Sequence, residues 1–216
     1  MPRLLSLFDG TGSICTFFRA AGWEIQSLDV DSRFGASIVE DILLWDFKNM
    51  GVFDVIFSGV PCTEYSQAKT RGTRTFALAD KLVERQWGII QYFLSLNPLM
   101  LYFIENPAFS LLWKRKCARE FANPHVICDF CCYSAPYRKR TRWATNSSWV
   151  PRDLCNPKIC LACPNGKTHD FTAQKGPTRG KDFKKDLFKT DQLHAYPEPL
   201  VQEIFEFCQN SLWEIL

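Results

Sequence analysis

The 216 residues contain no apolar run long enough to span a bilayer and no N-terminal apolar segment ending in a signal-type cleavage site. That pattern argues against membrane insertion and secretion, and a soluble, intracellular protein is expected. Excess charge is missing too: 26 Lys and Arg against 23 Asp and Glu leave +3, too little to mark a polyanion binder by its total. The basic residues are nevertheless grouped, at 114–116, 138–142 and 175–189, so local patches can exist where the sum shows none. There is no internal repeat. A hydrophobic content of 46%, with 18 Phe and 7 Trp, fits one globular domain with a small appendage. In a reducing compartment disulfides are disfavoured, so the ten cysteines read as thiols or metal ligands.

What the chain does have is an alternation of apolar strands and helical stripes. Residues 3–8 form a short apolar strand, and DGTGS follows before an amphipathic segment at 14–21. Gly10 and Gly12 allow a tight turn and a close backbone approach to a ligand. A dinucleotide fingerprint needs a third glycine where Cys15 stands, so the turn is either a cofactor loop of another kind or an ordinary strand-to-helix connection. A second strand, 24–28, ends at Asp29, where ribose hydroxyls would find an acceptor. Asp41-Ile42 closes a third, offering a carboxylate for an amino group and an apolar side chain for a ring face. Each acid can equally be a solvated loop carboxylate.

Residues 53–66, FDVIFSGVPCTEYS, break from a buried strand into a loop at Pro61, which cannot extend a ladder. Cys62 therefore sits on the rim of an open sheet, either as a nucleophile or as a small buried hydrophobe. The polar segment that follows, with Lys69, Arg71 and Arg74, suits a loop closing on an anionic substrate. Ala79, Leu82, Val83, Trp87, Ile90 and Leu94 make a helical core stripe. A strand at 99–104 ends in Glu105-Asn106-Pro107, and an ionisable group at the end of a buried strand costs desolvation unless it is used or paired. Two further strands are expected at 126–132 and 142–145, with Arg138, Arg140 and Arg142 projecting from one face of the segment between them. Cys128 and Cys131 then point to opposite faces and read as core. From 149 to 189 the composition shifts to Pro, Gly, Lys and Cys, and Cys155, Cys160, Cys163 and His169 form a C-x4-C-x2-C-x5-H set that is either a zinc staple or unligated thiols.

In this order the residues resemble the DNA (cytosine-5) methyltransferases over nearly the whole chain. Phe8-Asp9-Gly10-Thr11-Gly12 is similar to the family's cofactor loop, and Asp29 and Asp41-Ile42 to its next two cofactor contacts. Pro61-Cys62 resembles its nucleophile motif, Glu105-Asn106 its glutamate motif, and Arg138-Lys139-Arg140-Thr141-Arg142 its Gln-x-Arg-x-Arg run. PCTEYS, ENP and YRKRTRWATN look most like the small methyltransferases of phages and large viruses. Arg138 stands where the family has glutamine, and the late cofactor-capping motif is reduced to Tyr196-Pro197-Glu198-Pro199.

The resemblance implies a Rossmann-like α/β fold, a mixed seven-stranded sheet with helices on both faces, plus a small cysteine-containing insertion. It implies a core at 1–148, a reduced target-recognition insertion at 149–192, and a C-terminal helix at 193–216 returning to the core. S-adenosylmethionine (SAM) is the implied cofactor, held by Phe8, Gly10, Gly12, Asp29, Asp41, Ile42 and Pro61. Cys62 would add to carbon 6 of a flipped cytosine, Glu105 would protonate ring nitrogen 3, and Arg140 would hold the base's carbonyl oxygen. Ser66, Asn106, Arg138 and Arg142 would contact the nucleic acid. DNA is the expected substrate. A tRNA-modifying relative and a non-catalytic accessory protein remain alternatives, and a partner can supply sequence choice where the recognition region is short.

Overall fold

Leu4, Leu5 and Leu7 are buried on both sides of their strand, as the centre of a parallel sheet requires. In the computed structural model, which describes residues 1–67, 69, 71–173, 188 and 190–213 (backbone alone for Thr190 and Trp213), seven strands form one sheet. They are β1 (Arg3–Leu7), β2 (Glu24–Asp29), β3 (Ile38–Val39), β4 (Val55–Ser58), β5 (Leu101–Pro107), β6 (His125–Asp129) and β7 (Arg140–Thr145). Their order is β3-β2-β1-β4-β5-β7-β6. The first five are parallel, while β7 runs antiparallel to both β5 and β6. This order, with its reversed seventh strand, is typical of the Rossmann-like fold of SAM-dependent methyltransferases.

Strand alternation divides the core into two layers. On one face α2 (Phe76–Leu96) buries Val83, Ile89, Ile90 and Phe93 against Leu5, Leu7, Ile56 and Ile104. The other face carries α1 (Thr16–Ala20) and α4 (Glu198–Trp213), which bury Phe18, Leu200, Val201 and Ile204 against Leu4, Val55, Phe57 and Phe103. A short helix, α3 (Thr190–His194), precedes α4. Asn97 stops α2: its backbone turns extended, its amide group donates to Phe53 O at 2.9 Å, and Pro98 disfavours further helix.

Several expected boundaries move. The strand expected at 99–104 runs from Leu101 to Pro107, taking Glu105 and Asn106 into its ladder with β7. β3 stops at Val39, so Asp41-Ile42 lies beyond it. The strand expected at 126–132 ends at Asp129, and residues Phe130–Tyr133 form a 3-10 turn closed by Ser134 at φ 68°. Its partner begins at Arg140 rather than 142, because Phe130 N pairs with Lys139 O at 3.0 Å and prolongs the hairpin. Cys131 thereby leaves the strand. Among the described residues no helix is long and apolar enough to cross a membrane. Of the basic cluster expected at 175–189, all but Phe188 lie outside the described residues.

Phe93 is fully buried and meets Phe53 edge-on at 4.9 Å. Phe93→Ala should lower unfolding free energy in urea by about 3–5 kcal/mol. Leu96→Ala, at a residue 46% exposed in the same helix, should cost about 0.5 kcal/mol. Equal losses would contradict this packing.

Candidate active site

The parallel strands β1, β2, β4 and β5 send their C-terminal ends to one edge, so the loops that leave them share one rim. After β1 the backbone takes positive φ at Phe8 (56°), Gly10 (53°) and Gly12 (68°). Gly10 N donates to Asp29 Oδ2 at 2.8 Å, and Asp31 N donates to Asp29 Oδ1 at 2.9 Å. Asp29 therefore fastens the turn after β1 to the end of β2. It keeps lone pairs for a further donor, since it stays partly exposed beside Val30, which is 72% exposed. Asp9 is held inside the turn by Ser6 Oγ at 2.6 Å, and burial pushes its carboxyl up.

Asp41 accepts from Leu43 N at 2.9 Å and turns the chain there. Ile42, expected on the cofactor's ring face, is buried in the α2 layer of the core. The reason is Arg85 of α2, whose guanidinium takes Ile42 O at 2.9 Å and Trp45 O at 2.6 Å and draws this loop onto the helix.

The loop after β4 carries the thiol. Pro61 is exposed and Cys62 half-buried, with Cys62 O accepting from Tyr65 N at 3.0 Å. Asn106, expected against substrate, is instead fully buried and donates from Nδ2 to Val60 O at 2.9 Å. It holds the loop that presents Cys62. Its neighbour Glu105 is 7% exposed. Tyr196 Oη donates to Glu105 Oε2 at 3.5 Å, while Oε1 has no hydrogen-bond partner. A Cβ at Gly59 would stand 3.0 Å from the Tyr196 hydroxyl, so a side chain there would press on the Tyr196–Glu105 contact. Tyr196 N reaches Ser13 Oγ at 3.0 Å, which ties the reduced C-terminal motif to both the β1 turn and Glu105.

The basic tract divides by face. Asp129 at the end of β6 is fully buried and takes Arg140 Nη2 at 2.6 Å, Arg140 Nε at 3.0 Å and Arg138 Nε at 3.4 Å. Arg140 and Arg138, expected at the base and the nucleic acid, are turned onto this carboxylate. Arg142 donates to Ala122 O and lies over the Trp113 ring at 4.5 Å. Alternation sends Lys139 the opposite way, with Nζ 3.7 Å from Glu105 Oε1 and over the Phe130 ring at 4.7 Å. Lys139 is therefore the cation at the thiol–carboxylate pair, and the arginine pattern concealed it. The Cys62 thiol is pushed up by burial and then by the Glu105 carboxylate, with Lys139 pulling the other way.

The loop expected to close on an anion is largely self-satisfied. Lys69 binds Glu64 at 2.6 Å, and Arg74 donates to the carbonyls of Glu64, Ser66 and Lys69 at 2.5, 2.9 and 3.0 Å. Arg71 is exposed. Farther along, Cys155, Cys160 and His169 come together as expected, but their fourth neighbour is Cys131. Cys163 is buried in its own turn, with Sγ 3.6 Å from Asn165 Oδ1. The 3-10 turn after β6 is what delivers Cys131.

No family model matches the chain, and no curated protein does. Among solved structures, a mutant of DNMT2 from Spodoptera frugiperda overlaps with a TM-score of 0.42 at 13% identity, over 72% of this chain and 54% of that one. The S. pombe Dnmt2 methyltransferase gives 0.42 at 11% identity over 73% and 58%. PKMT2 from Rickettsia typhi in complex with AdoHcy gives 0.32 at 21% over 48% and 20%. The chain thus spans little more than half the length of the two DNMT2 structures. These are partial overlaps at low identity, and the chemistry of the site is carried by this chain's own residues.

Alkylation of Cys62 by iodoacetamide, followed by peptide mass spectrometry across pH, should show an inflection above that of an ordinary cysteine. Glu105→Gln removes the charge that raises the thiol and should move the inflection down. Lys139→Met removes the charge that lowers it and should move it up. Shifts of the opposite sign would mean that neither group faces Cys62.

Proposed function

We propose that this protein is a SAM-dependent DNA (cytosine-5) methyltransferase with Cys62 as nucleophile, Glu105 as proton donor and Lys139 as the facing cation. The observation that carries this reading is that the Cys62 loop leaves β4 beside β5, where Glu105 faces Lys139 Nζ at 3.7 Å, with the carboxylate raising the thiol and the ammonium lowering it. The residues beside them fit SAM: a turn with side-chain-free glycines, the Asp29 carboxylate with acceptor capacity left, and an exposed apolar Val30. When bound there, SAM supplies a methyl group on a positively charged sulfur. We take 1–148 as the core, 149–192 as a reduced target-recognition insertion, and 193–216 as the segment that returns to the core.

Cytosine C5 is a weak nucleophile, and thiolate addition at C6 makes it enamine-like. Cys62 loses its proton to solvent, with Lys139 favouring the thiolate against burial, and forms the bond to C6. Glu105, a carboxylate beside Lys139 before substrate arrives, takes a proton from solvent and delivers it to N3 as negative charge builds on the ring. Lys139, with Nζ 3.7 Å from Glu105 Oε1, can meet the base's carbonyl oxygen as charge develops there. Once carbon 5 holds the methyl group that SAM would supply, with SAM's sulfur left as a neutral thioether, it gives its own proton to solvent as the Cys62–C6 bond breaks, and N3 returns its proton to Glu105. Tyr196 and Asn106 position the pair by holding Glu105 and the Val60 carbonyl. The base must leave its stack for Cys62 to reach it.

Methyl transfer from labelled SAM to duplex DNA and to tRNA, side by side and followed by base analysis, tests the reading. Label is expected in 5-methylcytosine from DNA. Label in tRNA alone would move the substrate to RNA, and none in either despite SAM binding would leave an accessory protein. Lys139→Ala should lower kcat by about 10²-fold with SAM binding kept. Arg140→Ala, which strips Asp129 of its bidentate partner, should mainly lower stability.

A further inference from the structure

Three sulfur atoms and one ring nitrogen, from Cys131, Cys155, Cys160 and His169, lie within 4.8 Å of one another. His169 Nε2 stands 3.3 Å from Cys155 Sγ and 3.4 Å from Cys160 Sγ. Around a single tetrahedral ion, bonded to sulfur at about 2.3 Å and to nitrogen at about 2.0 Å, such edges measure about 3.5 Å. The two sulfur–nitrogen edges are therefore already close to tetrahedral. We propose that these four side chains hold one Zn²⁺ as a closed structural site. Cys131 comes from the turn after β6, and the other three ligands come from the insertion.

The surroundings carry the same conclusion by separate routes. Residues 150–169 form no strand or helix, and they leave Leu154, Ile159 and Leu161 exposed at 47%, 81% and 98%. A segment that exposes its apolar side chains cannot be held by hydrophobic burial, and a metal staple is the usual substitute. Charge is compatible with this. Asp129 and the guanidiniums of Arg138 and Arg140 lie beside the cluster. Zinc with three thiolates and a neutral imidazole carries one negative charge; the three thiol protons leave to solvent on binding. Asp129 Oδ2 also accepts from Cys155 N at 3.1 Å, so the carboxylate that orders the arginines also orients a ligand's backbone. Soft thiolates with imidazole, all four positions filled and no carboxylate among them, select zinc over magnesium or calcium.

The site is independent of the methyltransferase reading, and it has a consequence for the rim. By fastening the insertion to the turn that follows Asp129, the ion supports the face on which Arg138 and Arg140 lie, and so the opposite facing of Lys139.

The test uses the purified full chain. Elemental mass spectrometry should find about one zinc per chain, and Co²⁺ exchanged into the site should give thiolate-to-cobalt absorption with tetrahedral visible bands. Cys131→Ser and Cys160→Ser should each drop the metal by about tenfold or more. Cys163→Ser should keep it. Cys131→His, which returns a ligand atom, should regain metal with an altered cobalt spectrum; this separates ligand loss from misfolding. Wild-type protein without metal at saturating zinc would overturn the proposal. So would iron–sulfur absorption in place of zinc, or loss of metal in Cys163→Ser with retention in Cys131→Ser.

Discussion

Asp129 has no access to water, and a buried carboxylate stays ionised only when donors surround it, so Arg140 and Arg138 turn inward to meet it. Strand geometry then leaves Lys139 no choice of side: residues on either side of it point to Asp129, and it points to Glu105. One buried charge at the end of β6 thus decides which cation faces the thiol at the end of β4. The pair sets opposing influences on Cys62, a carboxylate that raises the thiol and an ammonium that lowers it.

The rim is assembled from loops, and each loop is pinned by a bond from a neighbouring element. Asp29 holds the Gly10 amide, Asn106 holds the Val60 carbonyl, and Ser13 holds the Tyr196 amide. Two of these three anchors bond a backbone group from a side chain on a sheet strand, so the sheet's rigidity passes to the loops. Tyr196 is the joint between the turn after β1 and Glu105. Its amide is fixed at one and its hydroxyl at the other.

Strand ends were legible because they depend on local signals. The apolar run at Val55, Ile56 and Phe57 and the Pro61 break locate Cys62, and the run into Glu105 locates the carboxylate. Gly10 and Gly12 announced their turn by residue type alone. What failed depended on partners distant in sequence. The arginine row was read correctly as one face, yet where that face pointed was set by Asp129, which the strand pattern gave no reason to single out. Apolar periodicity carries the strand on to residue 132 and Cys131 with it into the core, but the turn at Phe130–Tyr133 breaks the strand first. Ile42 follows an acid near a strand end, the local pattern of a rim residue, but Arg85, 43 residues later, pulls its carbonyl onto α2.

The central claim is that Cys62 attacks a cytosine covalently. DNA carrying 5-fluorocytosine lacks a removable proton at carbon 5, so an enzyme of this kind stays joined to it after methyl transfer. A denaturation-resistant complex containing the Cys62 peptide should form with wild-type protein and SAM, be absent for Cys62→Ser, and form about 10²-fold more slowly for Glu105→Gln. An adduct formed by the Cys62→Ser protein, or one mapped to another cysteine, would contradict the account.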